Sequence, residues 1–140
     1  MLARKEPMPV FHQGPLTGKD VMRAARMQQT LKSACRVSGR GYWSGEVNTL
    51  TFLPLPENSG IRFVRSDLPS RPVIPAVAEA RQAMPLRTRL ATGGAEVDMV
   101  EHVLAALYAL QIDNVEIQCT SGEMPGLDGS SMAYVLALQT

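Results

Sequence analysis

The chain has 140 residues, a formal net charge of +1 and an apolar content of 45%. This length is that of a single domain or of a piece of a larger protein, and the apolar content argues against a disordered chain. One Trp, three Tyr and three Phe are few for base stacking on single-stranded nucleic acid, and two cysteines do not build a disulfide scaffold.

The near-zero net charge hides an uneven distribution along the chain. All 14 Lys and Arg residues lie in residues 1–90 together with six acids, whereas residues 91–140 hold the other seven acids and no Lys or Arg. Such an asymmetry indicates either a partner of one sign or a basic and an acidic part that meet within one fold. Because the like charges are scattered rather than grouped in blocks, the sequence favours the second interpretation.

The predicted elements begin after an N-terminal extension. Residues 1–27 carry three prolines without an apolar period, which predicts a poorly ordered extension or a short helix. In chain order, the sequence then predicts strands at 29–38, 46–53, 61–65, 86–91, 95–98 and 114–119, and helices at 99–111 and 130–139. Strands followed by helices predict an α+β two-layer sandwich, in which two helices pack on one face of a mostly antiparallel sheet.

Cellular location is indicated by the cysteines and by what the sequence lacks. No apolar run reaches the ~20 residues of a membrane span, and residues 1–10 lack the apolar stretch of a secretory signal peptide. Cys35 and Cys119 lie in strand-like apolar runs, which predicts buried free thiols. Since thiols stay reduced in the cytosol, we expect a cytoplasmic protein without a membrane span.

The predicted helix at 99–111 carries the most informative pattern. Asp98 and Glu101 have the spacing of a capping box at its N-terminus. At ~100° per residue, one face is an apolar stripe of Val100, Val103, Leu104, Leu107 and Tyr108. The opposite face holds His102, Ala105, Ala106 and Ala109, where a solvated helix would carry polar residues. We therefore expect a loop of this chain or a second domain to pack on that face.

His102 and Glu101 are candidates for metal chemistry. His102 lies in the first helical turn, where the positive end of the helix dipole favours a neutral imidazole that can ligate a metal. Glu101 beside it has a side chain that can take a proton from an attacking water. The alternative is an ordinary structural histidine next to a capping glutamate.

The number of available ligands argues against a complete metal site. A catalytic zinc takes three protein ligands, and the second histidine, His12, lies in the extension. Cys35 and Cys119 have no metal-ligand spacing. If His102 binds zinc, the other ligands come from elsewhere.

Three further patterns allow more than one interpretation. The glycines at 39, 41 and 45 lack the Gly-Lys-Ser/Thr ending of a phosphate-binding loop and favour a hairpin turn. The loop at 123–131 has more turn residues than a helix cap by Asp128 or Ser130 needs, which favours a surface for a partner or ligand. Six arginines on predicted strands are either solvated or form a basic wall for a phosphorylated substrate: Arg36, Arg40, Arg62, Arg65, Arg87 and Arg89.

Three segments together carry a family resemblance. They are Val100-Glu101-His102-Val103-Leu104-Ala105-Ala106-Leu107, Leu110-x-Ile112-Asp113-Asn114, and Glu123-Met124-Pro125-x-x-Asp128-Gly129-Ser130-Ser131. In this order they resemble the UDP-3-O-acyl-N-acetylglucosamine deacetylases, the zinc amidases that commit lipid A synthesis. Gln29-Thr30-Leu31 and the glycine turn also match, so the resemblance covers residues 28–140. The chain departs from the family where Tyr42-Trp43 replace the usual Leu-His and where Met99 replaces Thr.

The resemblance implies a two-domain enzyme with zinc between the domains, of which residues 28–140 are the N-terminal domain and the second domain is absent. It implies that Glu101 is the general base and that His102 is the one zinc ligand from this domain. Arg87 and Thr88 would contact the substrate, and Asp128 and Gly129 would form a structural loop. The implied reaction is hydrolysis of the 2-acetamido group of a UDP-linked, 3-O-acylated glucosamine.

The leading hypothesis is thus the N-terminal half of such a deacetylase, from a truncated or split gene, inactive without a second domain or a complementary chain. An alternative is a non-catalytic module that binds a protein through the His102–Ala109 helix face. A third is a nucleic-acid binder that uses the basic residues 1–90. An anionic UDP-sugar is a sufficient reason for those basic residues, so we expect no nucleic-acid partner.

Overall fold

Segments in which apolar and polar residues alternate form the strands of this protein, as their period of two requires. The computed structural model describes residues 26–140 and the strand Leu2–Arg4. In this part of the chain the strands are β1 (Leu2–Arg4), β2 (Gln29–Leu31), β3 (Cys35–Arg40), β4 (Val47–Pro54), β5 (Ile61–Arg65), β6 (Val73–Pro75), β7 (Arg81–Gln82), β8 (Arg89–Thr92), β9 (Ala95–Asp98) and β10 (Val115–Cys119). The helices are α1 (Glu101–Ala109) and α2 (Met132–Leu138), and a 3-10 turn spans Ala78–Ala80.

The main sheet has five strands in the order β3-β4-β10-β5-β6. Neighbouring strands are antiparallel except β10 and β5, which run parallel with Val115 opposite Ile61. β10 lies at the centre, and Val115, Ile117 and Cys119 point into the core while the residues between them are half-buried. Two smaller antiparallel sheets are formed by β7-β8-β9 and by β1-β2.

One hydrophobic core joins the sheets and the helices. The helices contact each other, and α2 also contacts β3. Fully buried side chains of this core come from both larger sheets, both helices and the loop after β10: Leu50, Phe52, Phe63, Ile74, Val97, Val103, Leu107, Ile117, Met124 and Tyr134. Burial of such side chains is the main favourable contribution to folding, at about 1.5–3 kcal/mol for each large one.

The loop after β10 is hydrogen-bonded both to the β3–β4 hairpin and to β9. Asp98 donates its N–H to the Gly122 carbonyl at 2.8 Å and accepts the N–H of Met124 at 2.9 Å. The buried amide of Asn48 in β4 donates to the Ser121 and Glu123 carbonyls at 2.9 and 2.8 Å. These bonds place the loop beside the end of β9, directly before α1.

The α+β class with a mostly antiparallel sheet and two helices is confirmed. The predicted strand at 29–38 is instead two strands separated by the exposed residues 32–34, and the hairpin at 86–98 belongs to a separate three-stranded sheet. Most of the predicted extension at 1–27, namely residue 1 and residues 5–25 including His12, lies outside the described residues. Among the described helices, none is both long and apolar enough to cross a lipid bilayer.

Candidate functional site

The start of α1 is formed by a turn rather than by a capping box, so that prediction is wrong. Met99 has a φ of 61°, and Val100 precedes the helix without a side-chain cap. The Asp98 carboxylate instead accepts the Arg89 Nε–H at 2.6 Å and an Arg89 Nη2–H at 2.8 Å. Because Arg89 lies opposite Asp98 across the β8–β9 hairpin, its charged donors occupy both carboxylate oxygens that a cap would have used.

Glu101 is held by the backbone of the neighbouring strand segment. Its Oε2 accepts the N–H of Thr88 at 3.2 Å, and the Thr88 carbonyl accepts the N–H of Val100 at 3.5 Å. Glu101 is half-buried, and its Oε1 has no hydrogen-bond partner within the described residues. One carboxylate oxygen is therefore oriented by the protein while the other can accept a proton.

His102 follows directly and is also half-buried. Its imidazole forms no hydrogen bond or salt bridge with the residues that the structure describes, so its nitrogens are free for a ligand. Asp128 lies near enough to His102 for the two side chains to interact electrostatically. The pKa of Asp128 lies below its usual range, chiefly because Ser130 donates its N–H and hydroxyl to the carboxylate and to the smallest extent because of His102. Within the described ranges no three His, Cys, Asp or Glu side chains converge as metal ligands.

The loop at Asp128 and Gly129 shapes the start of α2. Asp128 Oδ1 accepts the Ser130 N–H and hydroxyl at 2.9 and 2.8 Å, and Ser130 Oγ in turn accepts the N–H of Met132 at 3.1 Å. Gly129 has a φ of 82°, a conformation that favours glycine. The predicted caps act in series, since Asp128 orients Ser130 and Ser130 satisfies the first N–H of the helix.

Arg87 lies over the ring of Trp43, next to a cleft of about 410 Å³. Its Cζ is 5.3 Å from the ring centroid, and its Nε is 3.7 Å from Asp98 Oδ2. The Nε–H is buried and has no hydrogen-bond partner in the described chain. The cleft walls also include Arg65, Glu96 and Glu123. Arg87 is therefore placed by a cation–π contact and a long ion pair, with its donors available.

Glu123 holds the turn that carries Trp43. Its Oε1 accepts the N–H of Trp43 at 2.8 Å, and its Oε2 accepts the N–H of Ser44 at 2.7 Å. Gly41 faces the same carboxylate, and a Cβ at Gly41 would overlap Glu123 Oε2 and Ser44 Oγ. The glycine turn thus binds a carboxylate of its own chain, as a hairpin turn and not as a phosphate-binding loop.

The outer face of α1 differs from the predicted stripe. Val100, Val103 and Leu107 are buried as expected, but Tyr108 is 87% exposed and Ala106 is fully buried. The predicted stripe is wrong at Tyr108. We call the exposed residues of the two contacting helices the outer helical face: Ala105, Tyr108 and Ala109 of α1 and Met132 and Leu136 of α2.

Residues 28–140 carry the sequence pattern of a known family. The sequence model of the family "UDP-3-O-acyl N-acetylglycosamine deacetylase" matches residues 28–140. The chain belongs to this deacetylase family. The match begins at Gln28 and includes both helices, the glycine turn and the loop at Asp128, so it covers the whole site.

Relatives of this deacetylase-family chain are longer than the chain itself. It is 46% identical over 115 residues to a UDP-3-O-acyl-N-acetylglucosamine deacetylase of Thermosynechococcus vestitus, which covers 82% of this chain and 40% of the relative. It is 44% and 42% identical to proteins named bifunctional enzyme LpxC/FabZ from Bacteroides thetaiotaomicron and Chlorobaculum tepidum. Those matches cover 80% and 79% of this chain and 24% of each relative. The chain spans less than half the length of these relatives.

From the sequence of this deacetylase-family chain, no site role was predicted for three residues that the structure places at the candidate site. Asp98 was assigned to a cap, Trp43 was noted only as a departure from the family, and Glu123 only as the first residue of a motif. A glutamate at the head of a motif was the available signal for Glu123. The stacking of Arg87 on Trp43 joins residues 44 positions apart, for which a single sequence gives no signal.

Proposed function

We propose that this chain supplies the general base and one zinc ligand of a deacetylase that hydrolyses the 2-acetamido group of a UDP-linked, 3-O-acylated glucosamine. The observation that carries the proposal is the Glu101–His102 pair at the start of α1, in which one glutamate oxygen is oriented by Thr88 and the imidazole is free. The family membership of residues 28–140 supports the reaction class.

Zinc fits this site only in part. An imidazole without a protein partner is a suitable ligand, and His102 meets that condition among the described residues. A catalytic zinc needs three protein ligands, and the described residues contain no such cluster. We propose that a complementary domain or chain supplies the others and that this chain alone is inactive.

In this mechanism Glu101 moves the proton. Bound zinc would supply Lewis-acid polarisation of the amide carbonyl. Glu101 Oε1 takes the proton of the attacking water, while the Thr88 N–H on Oε2 keeps the carboxylate in one orientation. The protonated Glu101 then returns the proton to the leaving amine, so the carboxylate is regenerated and acetate is released. Arg87 and Thr88 are proposed as substrate-lining residues, since Arg87 lines the cleft and Thr88 follows it directly in the chain.

The proposed complement has a matching surface on this chain. Tyr108, Met132 and Leu136 of the outer helical face are 87%, 58% and 60% exposed. Tyr108 also lines a groove of about 820 Å³, whose walls include the apolar residues Leu104, Ala109 and Ile112 and the polar residues Arg26, Gln111 and Asp113. Exposed apolar patches of this kind mark interaction sites. The same observation favours the second candidate function, a non-catalytic module that binds a protein through this face.

Location is proposed from the thiols. Both cysteines are free, and burial raises the pKa of Cys119 to about 12, which keeps it protonated and unreactive. Free thiols support a reducing compartment, and we propose the cytoplasm.

The test joins this chain to the part of the T. vestitus relative that it does not match. With zinc and the UDP-linked substrate, we expect acetate release from the joined protein and none from the 140-residue chain alone. Glu101→Gln should lower kcat by at least about a hundredfold, since proton transfer by a positioned group contributes 10²–10⁴-fold. His102→Ala should weaken zinc binding and abolish acetate release, and the exposed Arg36→Gln should change neither. An active joined protein that tolerates Glu101→Gln would support the binding module instead.

A further inference from the structure

Trp43, Arg87, Thr88 and Glu101 form a series of contacts from the β3–β4 turn to the start of α1. We propose that Trp43 is a positioning residue, which acts through Arg87 to hold the Thr88 N–H on the Glu101 carboxylate. The inference rests on the proposed function of Glu101 and adds a residue to it.

The first contact sets the place of the indole ring. Glu123 is only 7% exposed, and its two oxygens accept the N–H groups of Trp43 and Ser44. Because the bonds are to the backbone, they anchor the turn whichever side chain residue 43 carries. Trp43 itself is 51% exposed and has one face against Arg87.

The second contact sets the place of the guanidinium. Arg87 Cζ lies 5.3 Å from the ring centroid, within the distance of a cation–π interaction. Its Nε is 3.7 Å from Asp98 Oδ2, and its side chain is 20% exposed. Since the buried Nε–H has no hydrogen-bond partner in the described chain, the ring and the Asp98 charge locate this side chain.

The third contact follows from the backbone around Arg87. Leu86 is 85% exposed and has a φ of 59°, and β8 begins only at Arg89, so Arg87 and Thr88 lie outside the strand ladder. The anchored Arg87 side chain therefore directs the next peptide N–H, that of Thr88. Its distance of 3.2 Å from Glu101 Oε2 is at the long end for a hydrogen bond, so a small displacement of Arg87 breaks it.

The test measures the coupling between these residues in the full 140-residue chain. In ¹⁵N-labelled protein, Glu101→Gln changes the chemical shift of the Thr88 amide proton, because a charged acceptor becomes neutral. We expect this change to persist in Trp43→Phe and Arg87→Lys, which keep a ring and a cation. In Trp43→Leu and Arg87→Met, the shift change caused by Glu101→Gln should fall below about half of its value in the unsubstituted chain, as expected for residues in one network. Arg36→Met, an exposed arginine on β3, is the matched control and should leave it intact.

An undiminished effect of Glu101→Gln in both Trp43→Leu and Arg87→Met would overturn the inference. Each of the two variants removes one partner of the contact between Trp43 and Arg87. Trp43→Leu should leave the turn folded, because Glu123 holds it through backbone N–H groups, and Arg87→Met is a second variant that changes neither the turn nor its glutamate.

Kinetics of the joined protein separate this inference from the proposed function. Trp43→Leu should lower kcat by about tenfold to a hundredfold with KM unchanged, while Trp43→Phe restores kcat. Arg87→Met should lower kcat as well, and it should also raise KM because Arg87 lines the cleft. Unchanged kcat in an active protein would overturn the positioning role. An inactive joined protein in which the amide coupling is intact would contradict the deacetylase proposal and leave the positioning contact supported.

Discussion

The Glu123 carboxylate holds the turn that carries Trp43 by accepting two backbone N–H groups. Burial by itself raises the pKa of this carboxyl, but the N–H groups of Trp43 and Ser44 and the Ser44 hydroxyl outweigh it, so the pKa lies below its usual range. The ionised form therefore holds the turn. Gly41 is required for the same reason, since any Cβ there meets the carboxylate.

Glu123→Gln should destabilise the fold by about 1–3 kcal/mol, because an amide NH₂ faces the N–H donors that the carboxylate accepted. A folded pKa below the unfolded value contributes stability that is present above the unfolded pKa. That contribution is lost as the pH falls through the folded pKa. Urea unfolding from neutral pH downward should thus show that the difference in the free energy of unfolding between the unsubstituted chain and Glu123→Gln narrows below pH ~4.3. A difference that is constant with pH would contradict this account, and the exposed Glu57→Gln is the control.

The sequence predicted Glu101 and His102 as site residues because they lie in a short, specific motif, but it could not give their partners. Thr88 contacts Glu101 through its backbone, which every residue type provides. Asp98 was misassigned because its real partner, Arg89, comes next to it only once the hairpin has formed.

At the scale of elements, α1 shows how far periodicity reaches. The period of 3.6 correctly placed Val103 and Leu107 in the core, but it also placed Tyr108 there and Ala106 outside. The period locates a stripe, whereas the covered edge of that stripe depends on the packing of α2 and the sheets. The residues of α1 do not encode that packing.

Adjacent residues on α1 should respond very differently to truncation. Leu107→Ala removes a fully buried side chain and should cost about 2–5 kcal/mol. Tyr108→Ala removes an exposed one and should change stability by no more than about 0.5 kcal/mol. Urea unfolding of both variants checks this. A large loss for Tyr108→Ala in the isolated chain would mean that the outer helical face is already covered.

Strand prediction succeeded where local turn residues delimit the strand. Ile61–Arg65 follows the Gly60 turn and has the predicted bounds. The break after Leu31 was missed because the exposed residues Lys32, Ser33 and Ala34 include no Gly or Pro to mark a turn. The separate three-stranded sheet was missed because the pairing of β7 with β8 is a tertiary property.

At the scale of the whole molecule, the charge asymmetry is resolved within the fold. Arginines of the basic part pair with acids of the last fifty residues: Arg26 with Asp113, Arg62 with Glu116, and Arg89 with Glu96 and Asp98. The favoured interpretation, in which the two parts meet in one fold, is confirmed by these pairs. They hold the pKa of Asp113 below its usual range through the Arg26 hydrogen bond.

Arg89→Met should cost about 1–3 kcal/mol, since it leaves Asp98 without its charged donors in a half-buried position. Raising the ionic strength should reduce this loss of stability only slightly. The Arg89 and Asp98 side chains are 17% and 16% exposed, and salt screens such partly buried pairs weakly. Arg36→Met, on an exposed strand face, should stay within about 0.5 kcal/mol. Urea unfolding at two salt concentrations makes the comparison. Equal effects of the two substitutions would contradict it.

The central place of β10 determines when the protein can fold during synthesis. β10 inserts between β4 and β5 but is made last of the five strands, roughly fifty residues after β5. Until Cys119 has left the ribosome, the nascent chain carries two unpaired strand edges, those of β4 and β5, with Phe52 and Phe63 beside them. Unpaired apolar edges recruit other strands, so the ribosome-bound chain depends on shielding of these two edges until β10 has emerged.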